Sequence, residues 1–123
     1  MIDYAEAQAA CETYIRSLQA SDVETLLALF DDNASIEDPV GTALREGKSA
    51  LREFYSVACE GVLSAALSGA PRLAGNEVAF PFTVTAGTVG EELTINIIDV
   101  FKFNEAGKVV SMRAFWGPNN IGS

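Results

Sequence analysis

The spacing of apolar residues changes once along this chain, at about Gly61, from the period of a helix to the period of a strand. Before Gly61, apolar side chains recur every three or four residues, which is typical of amphipathic helices. After it they alternate with more polar ones, which is typical of half-buried strands. Helices followed by a run of strands predict an α+β domain. We expect a curved, mainly antiparallel sheet wrapped around three N-terminal helices.

Three helices are predicted before the change of period. The first has one apolar face and begins with Asp3 and Glu6, a pair whose spacing is that of a capping box. The same spacing of Ser21 and Glu24 predicts that a short second helix begins there and runs to Phe30. A third helix is predicted over residues 49–60 and ends at a glycine, a common helix stop.

The remaining elements are predicted to be strands. Short strands are expected over residues 34–38 and 62–68, and a loop over residues 86–92 separates two longer strands. Pro81 indicates an edge position or a bulge in the first of these. The last strand carries four apolar residues in one phase: Val110, Met112, Ala114 and Trp116.

Composition excludes several functional classes. Seventeen acidic residues against 8 basic ones give a net charge of −9, which argues against binding nucleic acid or an anionic membrane surface. No apolar run approaches the roughly 18 residues of a membrane span. Histidine is absent, so an enzyme of this sequence must use carboxylates, tyrosine or lysine for acid–base work. No metal-ligand or cofactor motif is present, and we expect neither a metal nor a cofactor.

The length and the cysteines fit an ordinary intracellular domain. The 123 residues are expected to form a single domain over 1–123. Cys11 and Cys59 lie in helical apolar patterns and are expected to be buried free thiols. The acidic start does not resemble a signal peptide, so a cytoplasmic location is expected.

Asp99 is the most informative single residue. It occupies the apolar phase of its strand, between Ile97 and Phe101. A carboxyl group facing a core would remain protonated, and it could then donate a hydrogen bond. The alternative is that a bulge turns Asp99 towards solvent.

Two tyrosines and a second aspartate complete a possible site. Tyr14 and Tyr55 lie in apolar helical phases, where each could be an ordinary boundary residue. If buried, Tyr14 could donate a hydrogen bond to an oxyanion, and Tyr55 could support another tyrosine by a hydrogen bond. Asp38 precedes Pro39, so it is either a turn residue or a general base at the mouth of a cavity. The walls could be core or could form a ligand pocket, and they consist of apolar residues: Phe54, Phe80, Phe82, Val84, Phe101, Met112 and Trp116.

Taken together, these residues fit one kind of chemistry. A base with two hydrogen-bond donors inside hydrophobic walls is what proton abstraction beside a carbonyl group requires. Asp38 would be the base, and Tyr14 and Asp99 would stabilise the enolate oxygen.

The chain resembles the Δ5-3-ketosteroid isomerases, or steroid delta-isomerases, over residues 10–121. Besides Tyr14, the matching segments are Glu-Asp-Pro-Val-Gly at 37–41, Arg-Glu-Phe-Tyr at 52–55, Phe-Pro-Phe-Thr-Val at 80–84, Ile-Asp at 98–99 and Gly-Lys-Val-Val-Ser-Met-Arg-Ala at 107–114. This resemblance implies the conical α+β fold of the nuclear transport factor-like superfamily and a homodimer formed through the sheet. Ketosteroid isomerases are themselves the known example of a neutral active-site carboxylic acid.

The resemblance also implies roles for residues. Asp38 would move a proton from carbon 4 to carbon 6 of a 3-oxo-Δ5-steroid, while Tyr14 and protonated Asp99 hold the dienolate oxygen. Tyr55 would hydrogen-bond to Tyr14, and Trp116 would lie near the base. Phe30 stands where some members have a further tyrosine.

Two other functions remain open from the sequence. One is a cyclase or dehydratase acting on another small hydrophobic carbonyl compound, although relatives that depend on histidine are disfavoured. The other is a binder of hydrophobic ligands without catalysis, which would leave the buried Asp99 unexplained.

Overall fold

The computed structural model describes residues 1–122 as three α-helices and eight β-strands. The predicted domain extends one residue further, to Ser123, which lies outside the described residues. The elements are α1 (Tyr4–Ala20), α2 (Val23–Leu27), β1 (Phe30–Glu37), β2 (Arg45–Glu46), α3 (Lys48–Glu60), β3 (Val62–Leu67), β4 (Arg72–Ala74), β5 (Glu77–Thr88), β6 (Glu91–Phe103), β7 (Val109–Phe115), a 3₁₀ turn (Pro118–Asn120) and β8 (Ile121–Gly122).

The strands form one curved sheet in the order β2-β1-β7-β6-β5-β3. Strand β4 also pairs with β5, and β8 pairs with β6. The pairing of β1 with β7 is parallel, whereas the other strand pairs are antiparallel. The predicted α+β class and its mainly antiparallel sheet are therefore confirmed.

Helices α1 and α3 place their apolar faces against the inner face of the sheet. The capping box predicted for Asp3 and Glu6 is present, and Gly61 caps the end of α3. Both cysteines are buried and free, as expected. Between helices and sheet lies one apolar core, whose largest fully buried side chains include Tyr55, Phe80 and Phe101.

The predicted start of the second helix is wrong by one residue. Asp22, not Ser21, caps α2 and accepts a hydrogen bond from the Thr25 amide. Ser21 instead ends α1 in the left-handed conformation, with φ 56°. Its hydroxyl donates to the Cys59 carbonyl oxygen of α3, so this side chain is already occupied. Helix α2 ends before Phe30, which begins the longer strand β1.

The predicted loop over residues 86–92 is also wrong. Strands β5 and β6 pair out to Thr88 and Glu91, which leaves Val89 and Gly90 as a two-residue turn. Gly90 has a φ of 95°, a conformation that glycine adopts without steric cost. The ends of these two strands are exposed on both faces and are rich in polar residues, so they lack the alternation that indicates a strand.

The predicted set of inward-facing residues in the last strand is wrong at the start of that strand. The pairing of β6 with β7 shifts between Lys102 and Phe103, so Phe103 faces Val109. Val109 is therefore fully buried and Val110 is only half-buried, whereas Met112 and Ala114 follow the predicted phase. A bulge of this kind adds a residue and reverses the alternation on one side of it.

Pro81 does not mark an edge strand, because β5 lies between β6 and β3. Strand β3 pairs with β5 from Phe82 onwards, and β4 pairs with β5 up to Ala79. Pro81 lies in the gap between these two pairings. Its carbonyl oxygen accepts a hydrogen bond from the Ser68 amide. The N–H that proline lacks would face the same gap, where neither β3 nor β4 is in register with position 81. No helix within residues 1–122 is long and apolar enough to cross a membrane.

Candidate active site

A cavity of about 210 Å³ lies between α1, α3 and the inner face of the sheet. It brings together side chains that are up to 102 positions apart in the sequence, from Tyr14 to Trp116. Its walls are mainly apolar, and its lining residues are Tyr14, Leu18, Asp38, Phe54, Tyr55, Ala58, Val62, Phe82, Val84, Ile95, Ile97, Asp99 and Trp116.

The two tyrosine hydroxyls meet at the buried end of this cavity. Tyr14 of α1 and Tyr55 of α3 lie with their hydroxyl oxygens 2.9 Å apart in a buried hydrogen bond. The Tyr14 ring is held edge-on by Phe101, with ring centroids 5.1 Å apart. Burial raises the pKa of both phenols well above the usual value, so both remain protonated donors at neutral pH.

Asp99 of β6 faces the same cavity with 1% of its surface exposed. It lies between Phe80 of β5 and Ala114 of β7 in the sheet register. Neither of its carboxyl oxygens has a hydrogen-bond partner among the described residues. Burial, and secondly the negative charge of Asp38, raise the pKa of Asp99 well above its usual range. Both effects favour the neutral carboxylic acid, whose O–H then has no acceptor among the described residues.

Asp38 stands in a different environment at the end of β1. Its side chain is only half-buried, and its Oδ1 accepts a hydrogen bond of 2.8 Å from the indole Nε1 of Trp116. Burial raises the pKa of Asp38 above its usual value, but the Trp116 N–H and the positive charge of Arg45 oppose this rise. These two groups favour the carboxylate form, so the cavity holds one acid and one candidate base.

The turn that carries Asp38 is fastened on both sides. Glu37 accepts hydrogen bonds from the Gly41 amide (3.0 Å) and from Arg113 Nε (3.3 Å). The Val40 amide donates to the Ala114 carbonyl oxygen at 2.8 Å. Neighbouring strands therefore fix the position of the carboxylate relative to the wall that carries Asp99.

Not every residue predicted for the pocket reaches the cavity. Phe54, Phe82, Val84 and Trp116 line it, as predicted. Three others do not: they are fully buried in the core behind it, namely Phe80, Phe101 and Met112. The two phenylalanine rings pack against Tyr14 and hold its orientation.

Five lining residues were not predicted from the sequence: Leu18, Ala58, Val62, Ile95 and Ile97. Leu18, Ala58, Ile95 and Ile97 lie in the apolar phases of their elements, so periodicity alone marks them as inward-facing. Periodicity does not indicate how deep a residue lies along its element. That depth decides whether the residue fills the core or borders the cavity.

A second, wider hollow of about 440 Å³ lies beside the first and shares Phe54 and Ala58 with it. Its lining contains none of Tyr14, Asp38 and Asp99, so the smaller cavity is the candidate active site. Within residues 1–122, Cys, Asp and Glu side chains form no cluster of three or more that could hold a metal ion.

Comparisons with known proteins agree with the geometry. The family model of the SnoaL-like domain matches residues 11–112. The chain is 34% identical over 117 residues to the Steroid Delta-isomerase of Nocardioides simplex, covering 95% of this chain and 94% of that protein.

Two further relatives carry other names. The Epoxide hydrolase LasB of Streptomyces lasalocidi is 32% identical over 110 residues, which cover 85% of this chain and 39% of that longer protein. The solved structure of the epoxide hydrolase/cyclase-like enzyme SalBIII, described for pyran ring formation in polyether salinomycin, has a TM-score of 0.89 and 31% identity. It covers 99% of this chain and 98% of its own. The family match and the isomerase relative establish that the chain belongs to the SnoaL-like domain family.

Proposed function

We propose that this protein is a steroid delta-isomerase that converts 3-oxo-Δ5-steroids to 3-oxo-Δ4-steroids. The observation that carries the proposal is the buried carboxyl group of Asp99, which has no hydrogen-bond partner among the described residues and borders the same cavity as Tyr14. A cavity for passive binding gains nothing from an unsatisfied buried acid, which costs free energy. The 34% identical relative named as a steroid delta-isomerase supports the same reaction.

The proposed reaction is an intramolecular proton transfer. The Asp38 carboxylate removes a proton from carbon 4, and the electron pair moves through the carbonyl group to form a dienolate. Tyr14 and protonated Asp99 donate hydrogen bonds to the dienolate oxygen on carbon 3, where negative charge develops. Asp38 then returns the proton to carbon 6. The base is regenerated within one turnover, so the reaction consumes no cofactor.

The environments of the two aspartates suit these roles. Asp38 has a hydrogen-bond donor, Trp116, and the nearby cation Arg45, both of which stabilise the ionised form. Asp99 has no such cation, and burial and the charge of Asp38 act against its ionisation more strongly than the nearby Tyr14 hydroxyl favours it. Tyr55 touches no ligand in this scheme; its hydrogen bond to Tyr14 holds that hydroxyl in place.

The test is an ultraviolet assay of conjugated enone formation from 5-androstene-3,17-dione. In Asp38→Asn we expect the rate to fall by roughly 10²–10⁴-fold, the range for loss of general-base catalysis, while steroid binding is retained. Asp32→Asn, which changes an exposed aspartate in the same way, is the matched control and should keep the wild-type rate. Equal turnover in Asp38→Asn and wild type would remove Asp38 as the base.

The relatives support a second candidate, the opening of an epoxide with ring closure. LasB is named an epoxide hydrolase, SalBIII is described as epoxide hydrolase/cyclase-like in pyran ring formation, and each shares about a third of its aligned residues with this chain. A neutral Asp99 could donate its proton to an epoxide oxygen, and Asp38 could accept a proton from the attacking hydroxyl. Conversion of a hydroxy-epoxide without isomerisation of the steroid would favour this candidate. Steroid binding without conversion of either compound would instead favour a non-catalytic binder.

A further inference from the structure

The candidate active site is too small for a complete polycyclic substrate. Its volume is about 210 Å³, whereas pockets for drug-sized ligands usually measure about 300–1,000 Å³. With the ketone oxygen at Tyr14 and Asp99, in the buried part of the cavity, the opposite end of the ligand must extend beyond it.

The neighbouring hollow adjoins the cavity along helix α3. Phe54 and Ala58, successive inward positions on α3, line both spaces. Val57 and Ala50 add apolar surface beyond them, and Val57 is 71% exposed. An exposed valine in a concave apolar wall gains free energy when an aliphatic group covers it.

The charges around this hollow indicate a neutral occupant. Arg45 and Glu53 border it, one positive and one negative, so the rim has no net charge. The Arg45 guanidinium lies 4.7 Å from the centroid of the Phe54 ring, and it forms no salt bridge within residues 1–122. A charged group on the ligand would be attracted by one member of this pair and repelled by the other, so the pair gives no net preference for either charge.

We propose that this outer hollow binds a neutral aliphatic side chain at the end of the substrate opposite its ketone. The inference rests on the proposed function and adds a substrate class to it: 3-oxo-steroids with an alkyl side chain on the distal ring. The protein would then prefer such compounds to steroids that end in a bare ketone.

The experiment measures binding, not turnover, with two Δ4-3-ketosteroids. Trp116 is the only tryptophan of the chain and lines the cavity, so its fluorescence reports occupancy. The ligands are 4-androstene-3,17-dione, without a side chain, and 4-cholesten-3-one, with a long alkyl chain, delivered from a cyclodextrin. We expect 4-cholesten-3-one to bind at least about tenfold more tightly, since each buried methylene adds favourable free energy.

Val57→Glu and Val57→Lys test the location. Either charge in the apolar wall should lower the affinity for 4-cholesten-3-one by about tenfold. The affinity for 4-androstene-3,17-dione should stay within about twofold of the wild-type value. Val89→Glu is the matched control, because Val89 is 80% exposed in the β5–β6 turn, away from the hollow. Equal effects of the Val57 variants on both ligands, or no effect on either, would overturn the proposal, as would equal affinities in the wild type.

The two proposals fail in different ways. Suppose that 5-androstene-3,17-dione is not isomerised but the Val57 variants selectively lower the affinity for 4-cholesten-3-one. The proposed reaction is then wrong, and the proposed binding site in the outer hollow is supported. If isomerisation occurs and the Val57 variants change nothing, the reaction stands and the hollow is not a binding site.

Discussion

The two aspartates of the cavity have different surroundings: Trp116 and Arg45 oppose the rise in pKa that burial gives Asp38, whereas burial and the charge of Asp38 raise the pKa of Asp99. Asp38 is half-buried and accepts a hydrogen bond from Trp116, while Asp99 is buried without a partner among residues 1–122. The sequence predicts the burial of Asp99 through its strand phase. It does not predict the Trp116 contact from periodicity, because 78 residues separate the two partners; only the family resemblance points to it.

At the scale of single residues, the oxyanion donors can be tested separately. We expect Asp99→Ala and Tyr14→Phe each to lower kcat by about 10²–10³-fold, because each removes one donor to the dienolate oxygen. Tyr55→Phe should cost less, since Tyr55 only holds Tyr14. Steady-state kinetics with 5-androstene-3,17-dione checks these values, and a wild-type rate in either donor variant would remove that residue from the mechanism.

Asp99 also makes stability depend on pH. Its pKa is raised well above the usual range in the folded protein, whereas in the unfolded chain it ionises at about pH 3.9. As pH rises above this value the unfolded state loses a proton that the folded state keeps, so the free energy of unfolding falls by up to about 1.4 kcal/mol per pH unit.

Asp99→Asn cannot ionise and removes this dependence. We therefore expect the stability of Asp99→Asn relative to wild type to increase between pH 5 and pH 8. Urea denaturation at both pH values measures the difference. A constant difference would mean that Asp99 is already ionised in the folded protein.

At the scale of elements, the change of period at Gly61 is enough to predict the helices and most strands. The errors in the predicted elements arise where a side chain has two possible hydrogen-bond partners or where a bulge shifts the register between two strands. Ser21 bonds to α3 instead of capping α2, and the bulge at the start of β7 buries Val109 in place of Val110. Such outcomes depend on tertiary contacts that no local pattern contains.

The contacts at the end of β1 should affect kcat because they position the Asp38 carboxylate. Glu37 fastens the turn that carries Asp38 to Gly41 and Arg113. In Glu37→Ala we expect kcat to fall roughly ten- to a hundredfold with KM almost unchanged, because the apolar walls stay intact while the base is misplaced.

Glu37→Gln separates position from charge. Its amide oxygen can still accept the Gly41 hydrogen bond, so we expect it to restore much of the lost kcat. Glu77→Ala, an exposed acid at the start of β5, serves as the control. A parallel rise of KM in Glu37→Ala would indicate a damaged cavity instead of a displaced base.

At the scale of the whole molecule, the outer face of the sheet carries a row of partly exposed apolar side chains. Pro81, Ile98 and Phe115 lie side by side across β5, β6 and β7, and Ile98 is 48% exposed. We propose that this apolar row forms the homodimer interface that the family resemblance implies. The row lies on the opposite face from Asp99, so a second copy bound there would leave the cavity open.

Ile98→Glu should therefore convert dimer to monomer, because a carboxylate would be buried against its symmetry mate. Sedimentation equilibrium measures the change. Leu44→Glu is the control, since Leu44 is 52% exposed but lies outside the sheet. A monomeric wild type, or an Ile98→Glu dimer as tight as the wild type, would contradict this assignment.

The parallel pairing of β1 with β7 determines when the site can form during synthesis on the ribosome. Ile36 of β1 pairs with Met112, and Asp38 accepts its hydrogen bond from Trp116. Most of the chain must therefore be synthesised before Asp38 has this partner. The Tyr14–Tyr55 hydrogen bond joins two helices of the N-terminal half, but the rings that pack against Tyr14 come later, from Phe80 of β5 and Phe101 of β6. The tyrosine pair and the base therefore both depend on strands of the C-terminal half, and the site is complete only after β7 and Trp116 have been made.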